Sequence, residues 1–160
     1  MGPSKEQIYL WLEEVKDPEI PVLSLVDLGV ITRVEVQHNK VFIEMTPTFV
    51  GCPALDYMKE EIQTLLKDKG IENATVEVNY KKAWSSDHIS EKGRLALQHY
   101  GFAPPPPAQI FADLGILENA ICPRCHQTNT EMKSPFGPTL CRSLYYCNTC
   151  HEAFEQFKPV

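Results

Sequence analysis

The chain has 160 residues, of which 43% are hydrophobic and 22% charged, the balance of a soluble globular protein rather than a disordered one. Its 21 acidic against 15 basic residues leave a formal charge of -6, which argues against nucleic-acid binding by phosphate neutralisation on a basic face. No apolar run approaches a membrane span, and the first ten residues lack the apolar segment of a secretory signal. Gly2 opens no myristoylation signal, because Glu6 stands where serine or threonine is required. A cytoplasmic, membrane-free chain is expected.

Ser4 and Gln7 form a capping-box pattern, and Ile8, Trp11, Leu12 and Val15 follow at helical spacing. Asp17-Pro18 stops that helix, and Pro21 keeps the next segment extended. Leu23, Leu25, Val26 and Leu28 predict a buried turn before Gly29. Residues 30–37 and 40–45 read as two strands, with Val34 and Val36 alternating in the first and Val41, Ile43 and Met45 in the second. His38-Asn39 supplies the hairpin turn between them. Pro53 suits the first turn of a second helix, whose buried stripe is Leu55, Met58, Ile62, Leu65 and Leu66, with Gly70 as its C-terminal stop. Residues 74–80 predict a third strand, parallel to the second if adjacent, because a helical crossover joins them. A third helix is expected from about Asp87 or Ser90 to Tyr100-Gly101.

Cysteine and charge both divide the chain. Five of the 6 cysteines fall in the last 39 residues, and only Cys52 lies outside them. The break falls at the run Pro104 to Pro107, read as a semi-rigid spacer. The expected organisation is an α+β domain over 1–103 with a small mixed three-stranded sheet, a proline-rich linker over 104–118, and a small C-terminal zinc ribbon over 119–160.

Cys122-Pro-Arg-Cys125 and Cys147-Asn-Thr-Cys150 are two C-x-x-C knuckles with 21 residues between them. Each presents two sulfurs from one tight turn, and together they make a tetrahedral S4 set suited to structural zinc. A single iron is the alternative metal, since thiolates accept both. So short a region depends on metal–ligand bonds to fold. Tyr145, Tyr146, Phe154 and Phe157 are expected to cover one side of the ribbon. Cys141, a fifth cysteine competing for four places, reads as a small packed hydrophobe or as one of the ligands; His126 and His151 flank knuckles that leave no vacancy. Arg124, Lys133, Arg142 and Lys158 form no basic stripe, so a structural or protein-docking ribbon fits better than a nucleic-acid reader.

Cys52 ends the segment Thr46-Pro-Thr-Phe-Val-Gly-Cys, at a strand end and just before a predicted helix. A helix N-terminus favours a thiolate, and Gly51 permits an unusual backbone angle or a close approach. Such a thiol is a nucleophile, a redox group or a soft metal ligand; its plain reading is a buried structural cysteine. Asp17 and Glu19, and Asp27 further on, put carboxylates in a proline-ordered loop, where helix-stop and turn roles are the ordinary ones. No serine–histidine–acid set, phosphate-cradling loop or H-E-x-x-H motif is present.

The blocks DPEIPVLSLVDLGVI (17–31), TPTFVGCPA (46–54), AWSSDHISEKGRLALQHYGFAPP (83–105), CPRC (122–125) and LYYCNTC (144–150) together resemble the PaaD (also PaaJ) family of bacterial phenylacetate degradation. The first domain alone resembles the SufT and cytosolic iron–sulfur-targeting family. Asp17, Pro18 and Glu19 match that family's early D-P-E, and Thr46, Thr48 and Cys52 match its threonine-rich segment ending in a reactive cysteine. The knuckle cysteines match the PaaD ribbon, Cys141 matches its additional cysteine, and His126 departs from the glycine common after the first knuckle. The resemblance implies an accessory or maturation subunit of the phenylacetyl-CoA ring 1,2-epoxidase, not itself the oxygenase. It would assist iron–sulfur assembly in the flavin and [2Fe–2S] reductase, with Cys52 handling iron or a cluster transiently and a second copy of the chain as a candidate partner. A stable structural subunit and a thiol-based redox enzyme are the other readings. The last wants a resolving cysteine near Cys52, and Cys141 would have to cross the linker to serve.

Overall fold

A computed structural model describes residues 2–107 and 119–159. They form two compact units that divide between Trp84 and Ser85.

The first unit follows the α+β expectation. Helix α1 spans Lys5–Leu12, and the Ser4 side chain accepts a hydrogen bond from the Gln7 N–H, so the cap forms as its spacing predicts. Strands β1 (Ile31–Gln37) and β2 (Lys40–Met45) make the antiparallel hairpin, with Gln37 opposite Lys40. His38 takes φ 56° in the two-residue turn, a left-handed angle that histidine tolerates better than most residues. Helix α2 spans Leu55–Asp68 and crosses to β3 (Asn73–Val78), which pairs parallel with β2. The sheet order is β1-β2-β3.

Leu55, Met58, Ile62 and Leu66 of α2 are buried. Each such side chain contributes about 1.5–3 kcal/mol. An exposed ion pair on the same helix contributes about 0.2–0.5 kcal/mol, so the apolar stripe decides which face turns inward. Gly70, at φ 86°, ends the helix. Its N–H reaches the Lys67 carbonyl at 2.9 Å and the Ile71 N–H reaches the Leu66 carbonyl at 2.8 Å. These are the two bonds of a left-handed helix stop.

One consequence of this topology positions the site. The chain enters β1 at Ile31, opposite Met45 where β2 ends, and parallel β3 ends at that same side. Segments 17–30, 46–52 and 79–84 therefore emerge together at one end of the sheet.

The second unit differs from the sequence expectation. Helix α3 (Glu91–Tyr100) ends at Gly101, φ 100°, and leads into strand β4 (Phe102–Ala103). Strands β5 (Thr130–Ser134), β6 (Arg142–Cys147) and β7 (Ala153–Phe157) complete a sheet of order β4-β7-β6-β5. Residues 85–103, expected in the first domain, belong by packing to this unit. The reason is long-range pairing: Phe102 and Ala103 align parallel with Glu155 and Gln156. Arg142, buried on β6, stacks 5.2 Å from the Phe102 ring centroid and pairs with Glu155 on β7 at 2.7 Å.

The proline run is tied down as well. Arg94 donates to the Pro105 carbonyl at 2.6 Å, and Gln156 donates to that of Pro104 at 3.4 Å. The first two prolines are thus part of the unit rather than a free spacer. The rest of the expected linker, 108–118, lies outside the described residues. Among the described residues no helix is long and apolar enough to cross a membrane.

Candidate metal centre and thiol loop

The two knuckles bring four sulfurs together. Cys122, Cys125, Cys147 and Cys150 lie with their Sγ atoms all within 4.8 Å of one another. Cys122 and Cys150 are 3.7 Å apart, and Cys125 and Cys147 3.5 Å. A disulfide needs about 2.05 Å, so these are separate thiols. A metal with bonds of about 2.3 Å to a sulfur tetrahedron sets its edges near 3.8 Å, close to both distances.

Each knuckle closes alike. The His126 N–H donates to the Cys122 carbonyl and the His151 N–H to the Cys147 carbonyl, each at 2.9 Å. Both histidines take φ 60°. The missing glycine after the first knuckle therefore leaves the turn intact, at a cost of about 1–2 kcal/mol for a left-handed non-glycine residue. Neither histidine belongs to the sulfur cluster. His126 Nδ1 lies 3.3 Å from Gln98 Nε2, and His151 Nδ1 lies 3.4 Å from the Tyr146 hydroxyl.

The clustered thiols differ in acidity. Backbone N–H groups of Cys150 and Thr149 directed at its sulfur lower the Cys147 thiol to about 6. Burial and the neighbouring sulfurs push Cys150 up to about 12. Cys147 ionises readily while Cys150 resists, and a cation held among the sulfurs would favour the thiolate form of both. Donor chemistry and spacing both fit a tetrahedral metal.

Tyr145, Phe154 and Phe157 are buried, and the first two stack with ring centroids 5.6 Å apart. Tyr146 departs from the expected side because neighbouring strand residues point to opposite faces; it is half-buried beside His151. Cys141 precedes β6 while Cys147 ends it, a separation of about 20 Å along an extended strand. The ligand reading of Cys141 therefore drops out. Its sulfur sits 3.1 Å from the Thr139 hydroxyl and is only half-buried.

Cys52 is half-buried. Helix α2 begins slightly later than its sequence suggests, with Ala54 at the cap and no side-chain capping bond. Cys52 and Pro53 thus lie in the turn before it, where the Cys52 carbonyl accepts from the Leu55 N–H at 3.3 Å. Gly51 takes φ 85°, and nothing would lie within 4 Å of an added Cβ. Backbone freedom, not close approach, is what this glycine supplies.

Thr46, at the root of the loop, is buried; its N–H donates to the Val30 carbonyl at 2.8 Å and its hydroxyl to Thr32 Oγ1 at 3.4 Å. Thr48 is half-buried further along. Asp17 caps its own turn, accepting from the Glu19 and Ile20 N–H groups at 2.8 and 2.9 Å, while Glu19 points into solvent. Asp27 is buried and accepts from the Ser24 hydroxyl at 2.8 Å.

Sequence reasoning missed the polar network beneath this loop. The Thr32 hydroxyl donates to Glu44 Oε1 at 3.0 Å, and Lys82 Nζ reaches the same oxygen at 3.3 Å. A bulge between Ile31 and Arg33 swings Thr32 towards Glu44, and no local spacing signals that. Burial pushes the Glu44 carboxyl up, but hydrogen bonds from Asn79, Thr32 and Lys82 outweigh it and hold the group below its ordinary value.

Because that folded-state value is depressed, the ionised carboxylate stabilises the fold above its unfolded value, and the gain disappears as pH falls through the folded one. Glu44→Gln is therefore expected to destabilise the first unit at pH 7 by on the order of 1 kcal/mol. Denaturant midpoints followed by tryptophan fluorescence should converge with wild type in acid.

Two family models match the chain. Residues 5–78 match the iron-sulfur cluster assembly protein family, and residues 108–158 match the PaaD zinc beta ribbon domain. The D-type subunit of the "Putative 1,2-phenylacetyl-CoA epoxidase" of Escherichia coli is 35% identical over 158 residues, covering 99% of this chain and 94% of that one. A protein named Fe-S protein maturation auxiliary factor, from Porphyromonas gingivalis, is 34% identical over 96 residues, 59% of this chain and 90% of its own. The crystal structure of a DUF59 domain from Bacillus anthracis superposes with a TM-score of 0.55 at 28% identity, covering 58% of this chain and 90% of that domain. An iron–sulfur-assembly domain and a cysteine ribbon thus follow one another in one polypeptide, alignable nearly end to end with the Escherichia coli protein, and the chain belongs to the PaaD family.

Proposed function

We propose that the chain is a non-catalytic accessory factor of the phenylacetyl-CoA ring 1,2-epoxidase system that helps to load the iron–sulfur centre of the reductase component. The observation that carries this reading is the joining of an assembly domain over 5–78 to the ribbon over 108–158 in one chain. Relatives of the first unit that are named as Fe-S protein maturation factors support it.

In this reading iron or a cluster is cargo, and Cys52 is its handle. A half-buried thiol on a glycine-permitted turn offers one soft ligand, enough to bind iron and too little to keep it. Asp17, Glu19 or a second copy of the chain would complete the transient ligation, and Thr46 would anchor the loop. The ribbon is static by contrast: Cys122, Cys125, Cys147 and Cys150 hold structural zinc, four thiolates being a closed set with no open position. Six unbridged cysteines suit a reducing, cytoplasmic setting.

The test is the iron and sulfide content of the reductase produced in the same cell with wild type, with Cys52→Ser, or with no accessory chain. Lowered occupancy with Cys52→Ser, close to that without the chain, is expected. Equal occupancy in all three removes the maturation role. It would leave a stable structural component of the complex, the reading favoured by the naming of the Escherichia coli relative as an epoxidase subunit.

A further inference from the structure

Beside the thiol loop lies a cleft of about 290 Å³, built from Pro47, Thr48, Phe49 and Val50 on one side and residues 80–84 on the other. Its wall includes two conspicuously exposed apolar surfaces, Val50 at 83% and Tyr80 at 59% exposure. Its charged lining is entirely cationic, Lys81 and Lys82, in a chain whose net charge is -6. Lys81 makes no ion pair among the described residues, its backbone N–H alone being held by Asn79 Oδ1 at 2.9 Å. Lys82 leans on Glu44 at 3.3 Å with its side chain 60% exposed. One such solvent-screened pair leaves donors of the ammonium free for a second acceptor.

We propose that this cleft is the docking site for an acidic, aromatic-containing segment of a client protein, which it places two residues from Cys52. The inference rests on the maturation reading for its client and adds the chemistry by which that client is recognised. Carboxylates of the segment pair with Lys81 and Lys82, and an aromatic side chain packs between Val50 and Tyr80. Charge complementarity selects the occupant: a chain of net charge -6 disfavours acidic segments in general and admits them where Lys81 has no ion pair among the described residues and Lys82 a single, solvent-screened one. A basic partner would meet like charge here. Docking at the root of the loop also explains why Thr46, Glu44 and Lys82 are bonded into one rigid base, since an approach geometry is held only if its support does not move.

The test titrates the full-length, nitrogen-15-labelled chain with an acetylated and amidated peptide of glutamates around one phenylalanine, and with its lysine counterpart. Amide shifts confined to residues 47–52 and 80–84 are expected from the acidic peptide only, and raised salt should weaken them. Lys81→Glu, at an exposed position without an ion pair, should weaken binding about tenfold or more; Lys81→Glu combined with Lys82→Glu should abolish it. Shifts elsewhere, no shifts at millimolar peptide, equal binding of the lysine peptide, or indifference to Lys81→Glu overturn the proposal. The reductase iron measurement separates the two ideas. Peptide docking in the cleft with a reductase that loads without this chain keeps the surface and removes the maturation role. A Cys52-dependent reductase with no peptide in the cleft does the reverse.

Discussion

Stripping metal from the chain with a strong chelator is expected to unfold residues 119–159 and leave residues 2–84 folded. The second core explains why. Its buried members are Ala103, Ala120, Cys122, Tyr145, Cys147 and Phe154, with Cys125, Met132 and Cys150 packed against them. Two of the four clustered cysteines, Cys122 and Cys147, therefore belong to the core itself and the other two pack against it, so loss of an ion held by them is expected to loosen the core rather than trim its edge. Structural zinc contributes about 10–16 kcal/mol in small ribbons, whereas a whole domain is stable by about 5–15 kcal/mol. On that scale, folding of the ribbon is expected to follow the ion.

The purified chain should carry about one zinc, with four cysteine ligands from one chain. Cys147→Ser should release it and produce the same partial unfolding. Both tryptophans, Trp11 and Trp84, lie in the first unit, and the stacked Tyr145–Phe154 pair lies in the second. Tryptophan fluorescence should accordingly stay constant while amide-proton protection of 119–159 collapses. An ordered metal-free ribbon would sink this account.

A chain ended after Trp84 should fold cooperatively, and one ended after Ala103 should be no more stable. The first unit encloses its own core, including Ile8, Leu12, Leu25, Ile43, Met45, Ile62 and Leu66, none with measurable exposure. Trp84 closes it, donating from Nε1 to the Leu28 carbonyl at 3.0 Å. Extension to Ala103 adds α3 and β4 without β7, the strand with which β4 pairs. A ten-residue helix is below the length of about 12–15 residues at which isolated helices become even marginal in water. Urea midpoints by tryptophan fluorescence should agree for the two truncations. Cutting before Trp84 should lower the midpoint sharply, since removing a buried tryptophan side chain costs about 3–5 kcal/mol. An unfolded 1–84 beside a folded 1–103 would return α3 to the first domain.

Much of this protein is written within a few residues of where it is used. Two C-x-x-C pairs place four sulfurs because each knuckle is a local turn, and its ligands need no distant partner to face one way. Ser4 capping Gln7, the α2 stripe and its stop at Gly70 are likewise set by spacings of three or four residues, where helical geometry leaves little choice. The hairpin and the parallel crossover follow from alternation, a two-residue turn and chain handedness. For Cys52, the order Thr46-to-Cys52 put a thiol on a loop at a strand end. The ordinary turn role of Asp17 is equally legible from its place before Pro18, and its carboxylate accepts from the Glu19 and Ile20 N–H groups of its own turn.

What tertiary structure alone decided involves partners far apart in the chain. Whether α3 joins the first or second unit depends on Phe102 meeting Glu155, 53 positions on, and a proline run is an equally good boundary signal in either arrangement. The Thr32–Glu44–Lys82 network exists because a bulge shifts register by one residue and a parallel strand ends beside it. His126 and His151 could be seen to flank the knuckles, but their left-handed backbone is imposed by turns whose sulfurs must converge. Cys141 shows the limit most plainly: near in sequence to Cys147, it is carried to the opposite end of a strand. Local chemistry is legible from spacing; proximity across the fold is settled by which surfaces bury together.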